Sequence, residues 1–381
     1  MPKTILLFTD WYEPGYKAGG PIRSCSNFVQ QMKGDFRIWI FTTDRDLDET
    51  KPYSTVVADT WIDFTDNVKI FYSSPGKLTW KNIRKQFDDI NPDFIYLNSM
   101  YSRYFTMYPV LMKRLGVIDG TVILSPRGML KQSALAFKST KKTIFLSLFK
   151  RFGLHKKIHF HATDEIEQED IVRQFGSKVN RTMIPNFSGS LDRFPGTLEK
   201  QPGELKMVFV GRLHPIKNLD YLLHLLPQAK GRISLTIIGG EEDADYVKQC
   251  KNIVAAWPAE LPVEVIFKGE IPNEQLPAIL ARHHIFAIPT RGENFGHAIF
   301  EALKAGKPVL ISDQTPWKGL VNLKAGWDLP LDKKEQFLDA LQQAIGFDQQ
   351  EYDKWCRAAW QHVNDFVTKS DLKTAYYKLF T

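Results

Sequence analysis

The chain is poor in cysteine and has no long apolar run, and each absence removes a class of protein. Cys25, Cys250 and Cys356 are the only cysteines in 381 residues. Their scatter and odd number argue against a disulfide framework or a zinc site and point to a reducing compartment. No stretch approaches 18 consecutive apolar residues, so no membrane-spanning helix is expected. The first apolar run, Ile5 to Phe8, is too short for a secretory leader and reads as a buried strand. The turn after it carries Gly19-Gly20-Pro21 rather than the G-x-G-x-x-G fingerprint, which disfavours a nicotinamide dehydrogenase. There is no low-complexity tract. His159 and His161 alternate on a strand and share a face, but no third ligand at metal spacing joins them, so no metal is assigned.

What is present is a two-part α/β pattern. Apolar content of 43% and charged content of 24% are ordinary for a soluble globular chain. The length suits two domains. Expected strands in the first half are 4–10, 36–43, 68–72, 94–98, 122–126 and 158–162, with helical stretches at 80–89, 104–115 and 130–152. The pattern restarts with strands at 206–211, 234–239, 263–268, 285–289 and 308–312. Alternating strand and helix implies parallel sheets covered on both faces. The Pro- and Gly-bearing stretch 191–204 reads as a linker between a first domain, 1–190, and a second, 205–365. Two Rossmann-like domains so joined are expected to face across a cleft, with ligands at the carboxyl ends of the strands.

The net charge of +7 lies wholly in the first half. Between Asp119 and Asp164 there are nine Lys or Arg and no acid. Lys138, Lys141 and Lys142 share one helical face with Phe137, Ile144, Phe145, Leu148, Phe149 and Phe152 nearby. A basic amphipathic stretch over 130–157 fits contact with an anionic membrane. No nucleic-acid recognition motif accompanies it, so nucleic acid is not expected.

The densest chemistry is in Pro289-Thr290-Arg291-Gly292-Glu293-Asn294-Phe295-Gly296-His297, followed by Glu301. A strand ends, a glycine-bearing turn exposes backbone N–H groups, and a helix begins, which is an anion-binding geometry. Carboxylates beside such a site suit sugar hydroxyls, because they accept hydrogen bonds and repel a second anion. Gly211-Arg212, with Lys217 five residues on, adds a forked and a point cation able to converge on a diphosphate.

The PTRGENFGHAIFEALKAGKPVLIS string resembles the E-x(7)-E motif of retaining glycosyltransferases of family 4, which have the GT-B fold. GRLHPIKNLDYLL is similar to that family's G-R-x(5)-K segment, and Ser125-Pro126-Arg127-Gly128-Met129-Leu130 resembles an SPRGML segment of one bacterial branch. Gln314-Thr315-Pro316-Trp317 matches a T-P-W turn of that branch. The resemblance implies transfer of a sugar from a UDP- or GDP-type donor to an acceptor hydroxyl with retention, no metal requirement, and a terminal segment, about 366–381, whose helical pattern runs over 369–380 and which crosses back to the first domain. It also implies a cytoplasmic protein with a saccharide or lipid-linked acceptor, in surface polysaccharide or glycolipid assembly. Arg212, Lys217 and Glu293 are the implied catalytic residues. Gly19, Gly20, Arg127, Asn294, Phe295, Gly296, His297, Glu301, Gly269 and Ile271 are the implied donor-binding residues. Glu165, His161 and Asn98 are further candidates. Relatives often carry a His-Gly pair where this chain has Asn98-Ser99, and a His near Arg127, a permanent cation that cannot act as a base. A nucleotide-sugar 2-epimerase and a silent nucleotide-sugar binder share this architecture; product formed without acceptor, or binding without turnover, would identify them.

Overall fold

The computed structural model describes residues 2–136, 139–189, 193–369 and 371–381, and leaves undescribed the side chains of 133, 136, 139 and 369. Phe137, Lys138 and the start of the expected linker, Leu191 and Asp192, lie outside the described residues. The chain divides into two compact units, Met1–Gly189 with Asp371–Thr381, and Ser190–Ser370.

The first unit is built on β1 (Thr4–Phe8), β2 (Arg37–Thr43), β3 (Trp61–Thr65), β4 (Val68–Ser73), β5 (Phe94–Leu97), β6 (Thr121–Leu124), β7 (Ile158–Ala162) and β8 (Arg181–Met183). They form one sheet in the order β3-β4-β2-β1-β5-β6-β7-β8, parallel except for the β3–β4 hairpin. Period-two alternation explains its double burial. Leu6 and Phe8 join one apolar cluster, Ile5 and Leu7 the other. The sequence pattern did not mark β3 or β8. β3 is a largely exposed edge reached through a left-handed turn at Asn67, and β8 has only three residues. Within the expected helix over 130–152, the described residues are helical at Gln132–Ala136 and Ser139–Arg151.

The second unit holds β9 (Glu204–Val210), β10 (Arg232–Ile238), β11 (Val263–Gly269), β12 (Ile285–Ile288), β13 (Val309–Ser312) and β14 (Gly326–Leu329). Their order is β11-β10-β9-β12-β13-β14, and every paired strand is parallel. The chain runs outward from β9 and returns on its other side at β12. β9 and β12 therefore flank a topological switch point, where side-by-side loops open a crevice.

The helix Gln349–Lys369 stays with the second unit because Phe366 packs on Trp317, with ring centroids 5.3 Å apart. The chain joins the first unit only from Asp371, five residues later than the expected 366. The terminal helix Leu372–Leu379 stacks Tyr376 on Phe187 at 4.4 Å, and Phe380 contacts the rings of Phe28, Phe36, Phe94 and Tyr96. Phe380 is fully buried.

Phe380→Ala should therefore lower stability by about 3 kcal/mol, the usual cost of emptying a buried aromatic site. Urea unfolding checks this; an unchanged midpoint would show that the terminal segment is not part of this core. Two histidines predict the pH response. His161 is fully buried, and burial together with the Arg127 charge pushes its pKa down to about 3. Burial pushes His284 down to about 4. Both folded values lie below the ordinary 6.5, so the unfolded chain takes up protons first as pH falls. Stability is full above about pH 6.5 and is lost toward pH 4 and 3, by at most about 1.4 kcal/mol per pH unit for each histidine. Urea midpoints between pH 7 and 5.5 should fall, and less steeply in His161→Phe.

Candidate functional site

The second unit brings the expected cations and carboxylates to the ends of β9 and β12. After β9, Gly211 leads through Arg212 and Leu213 into a single 3-10 turn, Pro215–Lys217, whose start is capped by the His214 ring accepting from the Ile216 N–H at 3.2 Å. Asn218 then takes a left-handed conformation, φ 60°, and is buried. Its amide donates to the Pro289 carbonyl at 3.0 Å and accepts from Arg291 Nε at 3.0 Å. The Ile216 carbonyl accepts from the Arg291 N–H at 2.7 Å and from Thr290 Oγ1 at 3.0 Å. Four hydrogen bonds thus stitch the loop after β9 to the loop after β12. On that frame Lys217 Nζ meets Glu293 Oε2 at 2.6 Å, with both side chains largely shielded from solvent.

The Glu293 loop is braced from a third strand. The Glu293 N–H donates to the Gln314 carbonyl at 3.0 Å, and Trp317 Nε1 donates to the Phe295 carbonyl at 2.7 Å. The T-P-W turn after β13 is therefore the back wall of this loop. Gly296 follows at φ 76° and opens the helix His297–Lys304. A Cβ there would come within 3.1 Å of Glu293 Cγ and 3.3 Å of Trp317 Nε1, so only glycine fits without moving the loop. The first N–H groups of that helix have no acceptor within it. Glu301 lies half-buried on its second turn. The Phe295 ring is buried against Trp317, Phe300 and Phe366, which leaves only its backbone to face a ligand. Arg212 pairs with Glu242 at 2.8 Å in a partly exposed contact. Gly269 ends β11, and Ile271 is half-buried two residues on.

In the first unit, Arg127 is not presented as an open cationic arm. It sits in a left-handed turn, φ 55°, that turns the guanidinium inward. Nε and Nη2 donate to Asn98 Oδ1, Nη2 also to the Tyr96 hydroxyl at 3.0 Å, and Nη1 to Asn186 Oδ1. Asn98 is buried and serves as its acceptor. His161 lies beneath, with Nδ1 accepting from the Tyr96 hydroxyl at 2.8 Å and Nε2 donating to the Ile184 carbonyl at 2.9 Å. His161 is thus a core residue, with both ring nitrogens used inside the unit.

Glu165 is exposed at the start of the helix Glu165–Phe175, while Glu167 is fully buried. Glu167 accepts from the Gly128 N–H and from Thr163 N and Oγ1 at 2.7 Å, and so holds the Arg127 turn. Burial raises its carboxyl pKa. The signal for it was Asp164-x-x-Glu167, a helix-capping pair whose Asp164 does cap, at 2.6 Å from the Glu167 N–H. Gly19 caps the helix Gly20–Met32 at φ 64°, in a loop held by Asp46 accepting from Tyr16 N at 2.8 Å and Lys17 N at 3.2 Å.

Residues 192–359 match the model of the family "Glycosyl transferases group 1". The chain is 29% identical over 160 residues to a D-inositol 3-phosphate glycosyltransferase of Nocardia farcinica, which covers 39% of this chain and 36% of that protein. It is 26% identical over 171 residues to the O-antigen chain mannosyltransferase B of Escherichia coli, covering 40% and 42%. The chain spans well under half the length of the curated relatives it matches. Several solved structures align over nearly the whole chain. HepE of Anabaena in complex with UDP and glucose gives a TM-score of 0.71 at 15% identity, covering 99% of both chains. Sucrose-phosphate synthase of Thermosynechococcus elongatus gives 0.73 at 15% identity, covering 99% and 98%. The chain thus has the GT-B fold of these glycosyltransferases, and its second unit carries the stretch that matches glycosyl transferases group 1.

Proposed function

We propose that this protein is a retaining, metal-independent glycosyltransferase that moves a hexosyl group from a nucleoside diphosphate sugar to an acceptor hydroxyl. The single observation that carries this reading is the Lys217–Glu293 pair, 2.6 Å apart on stitched loops at the switch point and next to a helix N-terminus. Cation, carboxylate and the N–H groups of a helix start together suit a sugar joined to a diphosphate. Lys217, Arg212 and the Asn294–His297 backbone would stabilise charge growing on the leaving diphosphate. Glu293 would hold sugar hydroxyls and Glu301 the ribose. As the bond from the anomeric carbon to the phosphate oxygen breaks, the acceptor oxygen bonds to that carbon on the same face. Its proton passes to the departing phosphate oxygen. The fixed cations Arg212 and Lys217 take the part a divalent ion has elsewhere. The UDP complexes of HepE support a uridine nucleotide. The O-antigen relative supports a saccharide or lipid-linked acceptor in surface polysaccharide assembly. The three buried, unbridged cysteines support a cytoplasmic setting.

A thermal-shift panel of UDP, GDP, ADP and their sugars tests the donor site. At 100 times Kd the correct nucleotide adds about 2.7 kcal/mol of stability, a shift of several degrees. EDTA should leave that shift unchanged. Lys217→Ala and Arg212→Ala should each weaken binding at least about tenfold, the scale of one charge-assisted contact. A shift that needs a divalent ion would overturn the metal-free reading, and no shift with any nucleotide would overturn the donor site. The anomeric configuration of the product, read by NMR, decides retention.

A further inference from the structure

The two edges of the second sheet are finished differently. β14 has four residues, and its Asp328 carboxylate accepts from the Gly319 N–H at 2.8 Å and the Leu320 N–H at 2.9 Å, which ties a helix start to it. β11, at the other edge, has seven residues, and among the described residues no strand pairs with its outer side. The Ile233 N–H donates to the Pro262 carbonyl at 2.9 Å, and Ile233 lies opposite Val263. In a parallel ladder this parity repeats every second residue. Glu264 and Ile266 therefore turn their backbone groups toward β10, while Val265 and Phe267 turn theirs outward. No hydrogen bond among the described residues engages those outward groups. The register is regular from Val263 to Phe267 and slips at Lys268. The side chains alternate as well. Val263, Val265 and Phe267 are half-buried, whereas Glu264, Ile266 and Lys268 are exposed, Ile266 by 41%. Natural sheets keep free edges short or blunt them. This one is long and centres on an exposed isoleucine.

We propose that β11 joins two copies of this chain, paired antiparallel about a two-fold axis at Ile266. The pattern Glu264-x-Ile266-x-Lys268 carries this inference. Turned about Ile266, it sets Glu264 of each copy opposite Lys268 of the other, with Ile266 against Ile266 between them. A two-fold contact needs a surface that complements its own rotated copy, and this charge pattern does so. The backbone agrees independently. The same register sets Val265 opposite Phe267 of the other copy, and these are the residues whose polar groups point outward. Antiparallel strands alternate hydrogen-bonded and close, non-bonded pairs. Each Val265–Phe267 pair then exchanges two bonds, and Ile266–Ile266 takes the close position. An axis at Val265 or at Phe267 would instead set Glu264 or Lys268 against Ile266. An unrelated strand could satisfy the hydrogen bonds but would gain nothing from a charge pattern that inverts about its own centre. The net charge of +7 lies in the first half of the chain, so the second units can meet without strong repulsion. Joined in this way, the two six-stranded sheets become one continuous sheet. The inference uses no donor-site side chain and stands independently of the transfer reading.

The test is sedimentation velocity of the full chain over a range of loading concentrations. An edge contact of this length lies at the low end of specific interfaces, so a dimer with a Kd on the order of 10 µM is expected, read between about 1 and about 200 µM. Glu264→Lys sets like charges opposite each other at both ends of the joint, and so does Lys268→Glu. Each variant alone should weaken the dimer at least about tenfold. Mixed in equal amounts, the two should recover a dimer of parental strength, because each supplies the charge the other lacks. The double variant, Glu264→Lys with Lys268→Glu, should recover it as well. Val265→Pro removes an outward N–H without touching the β10 ladder and should also weaken the dimer. Both charge positions are exposed, so the melting temperatures of these variants in dilute solution should match the parent chain. A chain that stays monomeric across the whole range would overturn the proposal. A dimer that ignores both single charge variants would overturn the joint at β11, and a mixture that recovers nothing would overturn its register. Open-ended growth past the dimer would overturn the two-fold pairing.

Discussion

The stitch between the loops after β9 and β12 is the constraint on which the candidate site depends. Asn218 lies at its centre. Its left-handed backbone ends the Lys217 turn, and its buried amide joins two segments 71 positions apart in sequence. Lysine and glutamate carry long, mobile side chains, and an exposed pair of them contributes little. Here both stems emerge from backbone that is already tied together, so less freedom is lost when the pair forms. A parallel sheet places neighbouring strand ends side by side but leaves their loops free to diverge. The Asn218, Thr290 and Arg291 hydrogen bonds remove that freedom.

The sequence made most strands legible, all but β3, β8 and β14, because both sheets are buried on two faces and their inner strands read as short apolar runs between turn residues. It made Lys217, Glu293 and the glycine turn legible because strand end, turn and helix start follow one another locally. It did not reveal what holds them. Trp317 bracing Phe295 and Asn218 bracing Pro289 are contacts between segments that only the closed sheet brings together. Arg127 shows the same limit from the other side. A charged residue before a glycine at a strand end reads as an exposed ligand arm. Its left-handed φ turns the guanidinium back onto Tyr96, Asn98 and Asn186 instead.

The first unit therefore solves a different problem from the second. Its polar residues at the strand ends, Asn98, Arg127, His161 and Glu167, form an enclosed network in which nearly every group is used internally. Such a network holds a unique loop shape, because a half-satisfied buried group is costly. The Ser125–Leu130 turn is thus a rigid wall, shaped by Glu167 from below and by Arg127 from within. The terminal helix adds Tyr376 against both Phe187 and His161, so the last residues of the chain support the same wall.

The second unit keeps its cations in a more exchangeable state. Arg212 rests on Glu242 and Lys217 on Glu293, so each cation already has a carboxylate. On the proposed reading, a bound diphosphate competes with those carboxylates for the same donors. The exposed Arg212–Glu242 contact costs little to exchange, while the shielded Lys217–Glu293 contact costs more. On the proposed reading, Glu293 regains hydrogen-bond donors from the sugar hydroxyls as Lys217 turns to phosphate. Phosphate alone offers no such compensation, so the arrangement favours a ligand that carries diphosphate and sugar together over either part by itself.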